Sequence, residues 1–308
     1  MALTMSWGLI PDPKGDRLIV TRILIALLSF ATLGFGQAHG EPVIWRLSDA
    51  DTEIYLFGTI HVLPDGVNWR TEQIDAAINA ADVIYLETPV DEETMAAFMP
   101  QVMEWATLPE GESLLAMLPE EGATRLRDIA KAANYPIDAI DQYQPWFVSL
   151  MIANFGFAAS GQTAENGVET GLVESATFGN TRAELAYLET PEDQIRPMAE
   201  LPRNVQLRML MDALVPEVRN RPTANITELW LSGDQRQIET AVNGAIRDLA
   251  PALYDVVLVR RNLNWTGQIE DLLHQDGVFL IAAGAAHFPG PDGVVTMLRN
   301  RGHYVEGP

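Results

Sequence analysis

An α/β protein with a mostly parallel sheet, assembled from both ends of the chain around a large helical middle, is the fold this sequence predicts. Two patterns predict it. Short apolar runs rich in β-branched and aromatic residues cluster near the two ends, at 43–47, 54–60, 82–88, 183–189, 278–284 and 303–307. Several are continuously apolar rather than alternating, which suits strands covered on both faces. Between the second and third runs, Ile74, Ala77, Ile78 and Ala81 recur at helical spacing. A strand-helix-strand unit of that kind makes a parallel crossover.

The remaining elements follow in order. The stretch from about 92 to 275 is dominated by helical patterning, with the 183–189 run inside it. In the 253–272 segment Tyr254, Val257, Leu258, Arg261, Trp265, Ile269 and Leu272 form one apolar stripe, with Arg260 off it. Near the C-terminus, Pro291 suits the first turn of a helix and Gly302 its stop. The two ends resemble each other: each runs strand, Gly-x-x-His, Pro-Asp-Gly, helix, and a strand bearing a glutamate, Glu87 or Glu306. Shared turn chemistry and internal duplication both account for that likeness.

Ahead of the fold, Arg17 and Arg22 precede an apolar run, Ile23 to Phe35, followed by Ala38 and Gly40. The pattern predicts a Sec-type secretory signal over residues 1–40, with a single domain over 41–308 and a periplasmic or secreted product. The run falls short of the ~20 apolar residues needed to span a bilayer, so no stable membrane anchor is expected after processing. The chain has no cysteine, which excludes a lipid-anchored cysteine, disulfides, a thiolate zinc site and a cysteine nucleophile. Its net charge of −22, from 42 acidic and 20 basic residues, argues against a nucleic-acid partner.

The chemistry-bearing residues are few. Of five histidines, His39 falls in the leader, His274 on a polar helix end and His303 at a terminal strand. His61 and His287 each follow an apolar strand, at the edge where open parallel sheets bind ligands. Gly58 and Gly284 ahead of them permit a bend or a close approach. Glu87 and Glu189 close apolar strands, and a carboxylate there must be solvated or paired. Glu169, among helical segments, carries a weaker signal. Arg261 on the apolar side of its helix calls for an anion, or for a head that reaches water. Two imidazoles and one carboxylate make a plausible divalent-metal triad, able to activate water for hydrolysis. No H-E-x-x-H, G-x-S-x-G or Gly-rich phosphate loop is present.

"WRLSDADTEIYLFGTIHVLPDGVNW", "GAAHFPGPDGVVTMLRNRGHYVE", "LETPEDQ", "LYDVVLVRRNLNW" and the "GVE" at 167–169 resemble the TraB/GumN family over nearly the whole mature chain. That family is related to the metal-dependent Tiki membrane proteases, and more distantly to erythromycin-esterase-like hydrolases and haem-binding lipoproteins. The resemblance implies a metal-dependent hydrolase of peptides or small molecules. Its ion (Mn, Co or Zn) would lie on His61, His287 and Glu87, with Glu87 as ligand or base. Arg261 and Asn262 match the family's Arg-Asn pair and are catalytic candidates. A haem- or small-ligand-binding protein and an exopolysaccharide or envelope assembly factor remain alternatives.

Overall fold

The computed structural model describes residues 40–179, 181, 183–214 and 225–308. The leader expected over residues 1–40 lies outside them, apart from Gly40.

Among the described residues eight strands form: β1 (Ile44–Ser48), β2 (Thr52–Thr59), β3 (Leu63–Pro64), β4 (Val83–Leu86), β5 (Gln162–Thr163), β6 (Glu184–Tyr187), β7 (Gly277–Gly284) and β8 (Val305–Glu306). Six of them make one sheet in the order β6-β4-β7-β2-β1-β8. The β6-β4, β4-β7 and β7-β2 pairs are parallel, while β1 runs antiparallel to both β2 and β8. The expected α/β architecture, with strands from both ends and a helical middle, is therefore present. The antiparallel edge follows from the tight turn between β1 and β2, where Asp49 Oδ1 accepts the Thr52 amide at 3.0 Å. A turn that short can only reverse the chain.

β7 sits at the centre, and its residues divide between two cores with the period of a strand. Leu280 and Ala282 pack with Ile74, Ala77 and Ile78 of the Glu72–Ala80 helix. Phe279, Ile281 and Ala283 pack with Trp265, Ile269 and Leu272 of the Arg260–Leu272 helix. Burying each large side chain here contributes about 1.5–3 kcal/mol. The helix that the spacing of Ile74, Ala77 and Ile78 predicts runs Glu72–Ala80, with Thr71 capping the Ile74 amide at 3.2 Å. The middle of the chain packs as a separate helical core around Trp146, Phe147, Leu210 and Leu258. Among the described residues no helix is long and apolar enough to cross a membrane.

Two details differ from the sequence expectations. Pro291 does not open the last helix, which runs Val294–Asn300 behind an N-cap at Gly293. The Pro291-Asp292 turn is instead held by neighbours: Tyr254 donates to the Asp292 carboxylate at 2.9 Å, and Asn262 Nδ2 donates to the Asp292 carbonyl at 2.7 Å. Glu306 is exposed and lies 3.6 Å from Arg46, so it has no part equivalent to that of Glu87. Gly302 does end the helix, at φ 97°.

Gly58 and Gly167 matter through close approach. A Cβ on Gly58 would come within 3.0 Å of the Ala285 backbone, so the two Gly-x-x-His turns touch. At Gly167 it would meet the His61 carbonyl oxygen at 2.2 Å. Gly167 is the N-cap of the Val168–Phe178 helix, whose Val168 amide donates to the Ile60 carbonyl at 3.1 Å. Gly167→Ala is expected to force this helix off the His61 turn, at about 1–3 kcal/mol in chemical denaturation. A Gly58→Ala control, with a less severe contact, should cost less.

Candidate active site

The four parallel strands, β6, β4, β7 and β2, end at one edge, and each is followed by an ionisable side chain. Glu189 lies just past β6, Glu87 immediately after β4, His287 just past β7 and His61 just past β2. Glu87, Glu189, Arg261, Asn262 and His287 are all buried, as is Glu169. Burying so many polar groups is tolerable only if they satisfy one another.

Arg261 is the hub. Its Nε donates to both Glu189 oxygens at 3.0 Å, and Nη2 reaches Glu189 Oε1 at 2.5 Å and also bonds Glu87 Oε2. Nη1 donates to the Val257 carbonyl at 3.1 Å and to His287 Nε2 at 3.2 Å. The guanidinium also lies 4.6 Å from the Trp265 ring centre. Every N–H of the side chain is thereby engaged. Arg260, its neighbour, points to solvent. A π-helical turn, Asp255–Val259, immediately precedes this pair.

Glu87 accepts the Gly284 amide at 2.6 Å and Gln194 Nε2 at 3.2 Å besides Arg261. Burial alone, the largest single influence, would raise its pKa, but the Arg261 charge, joined by the two imidazoles and the Gly284 amide, outweighs it and holds Glu87 far below the ordinary range. Glu189 shows the opposite balance: burial, only partly countered by Arg261, pushes it up to about 7.

His287 is fully buried and its tautomer is determined by Asn262. The Asn262 amide nitrogen donates to the His287 and Asp292 carbonyls at 3.2 and 2.7 Å. Its Oδ1 must therefore face His287 Nδ1, 2.6 Å away, and accept that proton. Nε2 is left with its lone pair, which takes the Arg261 N–H. Burial, then the Arg261 charge, push His287 down to about 3, so it is neutral across the working range.

His61 is the cluster's link to solvent, with 13% of its side chain exposed. Nδ1 lies 2.9 Å from Glu169 Oε1, which also accepts Thr59 Oγ1. Burial would lower its pKa, but Glu169 outweighs burial and raises it to about 9. A small recess lies beside it, lined by Ile60, His61, Ile226, Val242, Ala285 and Ala286 among others. Glu169 Oε2 is buried without a hydrogen-bond partner. Because His61 is raised above its unfolded value of about 6.5, its stabilisation is complete below that pH and lost as pH rises through 9. Glu189, also raised, has lost its contribution by about pH 7. Unfolding stability is therefore expected to fall by on the order of 2 kcal/mol between pH 7 and 9.5, with the slope much reduced in His61→Gln.

The sequence-derived candidates His61, Glu87, Arg261, Asn262 and His287 are thus brought to one edge. His274 is not among them, and His303 instead pairs with Glu270 at 2.9 Å on the surface. Three participants carried too little weight in the sequence. Glu189 occurs in Tyr-Leu-Glu-Thr-Pro (187–191), the same pentapeptide that holds Glu87 (85–89), and the two copies end adjacent parallel strands. That repeat was the available signal. Glu169 enters through the first turn of a helix, where a carboxylate is favoured by the helix dipole. Gln194 has no sequence signal of its own.

The donors do not fit an ion held jointly by His61, His287 and Glu87. The His287 lone pair and Glu87 are both committed to Arg261, and His61 to Glu169 on its far side. Among the described residues no three His, Cys, Asp or Glu side chains are grouped so as to hold a metal.

Comparison with known proteins bears on what this edge does. A protein of Treponema pallidum (strain Nichols), described only as uncharacterized, is 19% identical over 278 residues, covering 86% of this chain and 82% of the relative. A "Metalloprotease TIKI homolog" of Amphimedon queenslandica is 24% identical over 351 aligned positions, covering 94% of this chain and 66% of the relative. No solved structure matches. Residues 43–307, which hold every side chain of the cluster, match the TraB/PrgY/gumN family, and the chain belongs to it.

Proposed function

We propose that this protein is an exported hydrolase that cleaves amide bonds in peptides at the carboxyl edge of its sheet. The observation that carries the reading is the contrast between its two imidazoles. One is buried and locked neutral by Asn262 and Arg261. The other, His61, is backed by a buried carboxylate and reaches solvent. Environments that drive paired titratable groups apart in pKa mark acid–base centres.

In this reading His61 is the general base. Glu169 holds Nδ1–H, which directs the Nε2 lone pair of the deprotonated ring outward. There it takes a proton from water as the water attacks the scissile carbonyl, and returns it to the departing amine. Arg261, with all its donors engaged, contributes its charge to the developing oxyanion rather than a direct hydrogen bond. Glu87 and Glu189 keep that charge in place, and Asn262 with His287 closes the far side. Metal dependence belongs to the name of the Amphimedon queenslandica relative, and no step here is routed through an ion.

The test is a mass-spectrometric screen of an unbiased peptide library with the purified protein, beside His61→Ala. New termini produced by the parent and absent with the variant support the reading. No cleavage by either, with a Soret band on haem addition that vanishes in His61→Ala, replaces hydrolysis with haem binding.

A further inference from the structure

We propose that the Arg261 guanidinium is the resident cation of this centre, standing where a divalent ion would sit among Glu87, Glu189 and His287. Ion binding and Arg261 pairing then exclude one another. The inference rests on the reading of this edge as the reacting centre.

With Arg261 in place the donors surround a guanidinium and are not grouped to hold an ion. Two carboxylates from adjacent parallel strands and one imidazole nitrogen converge on the guanidinium, at 2.5–3.2 Å for the contacts to Glu189 and His287. These are oxygen and nitrogen donors of the kind a first-row divalent ion takes. The His287 ring even has the orientation of a metal ligand, with its other nitrogen held by an outer partner, Asn262. A dication set among these donors would lie against the guanidinium charge with no water between them, and the donors would have to leave Arg261 to reach it. Arg261 itself has nowhere to go at little cost: it is packed on Trp265, bonded to Val257, and held inward by its helix. Arginine stays charged when buried, so the plug does not come out by deprotonation.

The experiment measures metal content and thermal midpoint for the full chain purified without chelator, beside Arg261→Met and Arg261→Met/Glu87→Gln. The wild type is expected to carry far less than one equivalent of any divalent ion, and its midpoint to be unmoved by added Mn or Zn. Arg261→Met, which frees both carboxylates and the imidazole, is expected to take up about one equivalent of Zn or Mn and to be stabilised by it. The double variant should lose that uptake. A wild-type protein with a stoichiometric ion that Glu87→Gln or His287→Ala removes overturns the proposal, as does a folded Arg261→Met that takes up none. Should Arg261→Met fail to fold without metal, rescue of folding by Zn or Mn supports the proposal. If no ion rescues it, the wild-type metal content alone decides.

The peptide screen, run with and without chelator, separates the two readings. Cleavage abolished by chelator and restored by Mn or Zn refutes the resident-cation proposal and leaves the hydrolase reading standing. A metal-free wild type that cleaves nothing does the reverse.

Discussion

Arg261→Met is expected to lower folding stability by about 3–5 kcal/mol in metal-free buffer, the largest single effect in the molecule. The loss comes from what stays behind rather than from the contacts removed. Glu87 and Glu189 would face each other with no counter-charge in a site closed to water. Two features distinguish this from ordinary loss of packing. Glu87, now without the charge that holds its pKa down, should take up a proton, so the variant's deficit should shrink as pH falls toward 5. Neutralising one partner should also recover stability. Arg261→Met/Glu189→Gln is expected to be more stable than Arg261→Met alone, an interaction that a double-mutant cycle reads directly. Additive losses across that cycle would mean that the three charges do not act as a unit.

Glu169→Gln is expected to cut the maximum, pH-independent rate of peptide cleavage by about 10²–10³, comparable with loss of the base itself. The wild-type rate should climb with pH toward the His61 value near 9, because only the deprotonated ring accepts a proton. Without the carboxylate the burial of His61 is no longer offset, and its pKa should fall below the free-imidazole value. The profile would then level off at a much lower pH and at a lower plateau, since Nδ1–H has lost the partner that fixes the tautomer. A purely structural role for Glu169 would reduce the rate at every pH alike and leave the midpoint unchanged. NMR titration of the His61 ring in both proteins reads the same shift without reference to catalysis.

The sequence made much of this legible, for identifiable reasons. Strand ends are visible because an apolar run stops at a polar residue, which exposed His61, Glu87 and His287 together. Arg261 was visible because one cation interrupted an otherwise apolar stripe. Glu169 carried only a weak signal, since its role arises from a helix laid against the His61 turn, a tertiary contact that the sequence does not show. Glu189 reads as a solvated strand end until β6 is known to neighbour β4. The start of the last helix was misplaced because Pro291 suits a first turn locally, whereas Asn262 and Tyr254 hold the following Asp292 in a turn. Local preference sets an element's type, and long-range bonds set where it begins.

The position of β7 has a consequence for how the molecule comes into being. The central strand β7 is synthesised after every other strand of the sheet except β8, and 197 residues separate Gly284 from the Glu87 carboxylate that its amide caps. A nascent chain that ends before residue 277 has β2 and β4 but nothing to place between them, so both present open apolar edges. Such a chain has no route to a native-like half-molecule; it must be kept from aggregating until β7 has been made.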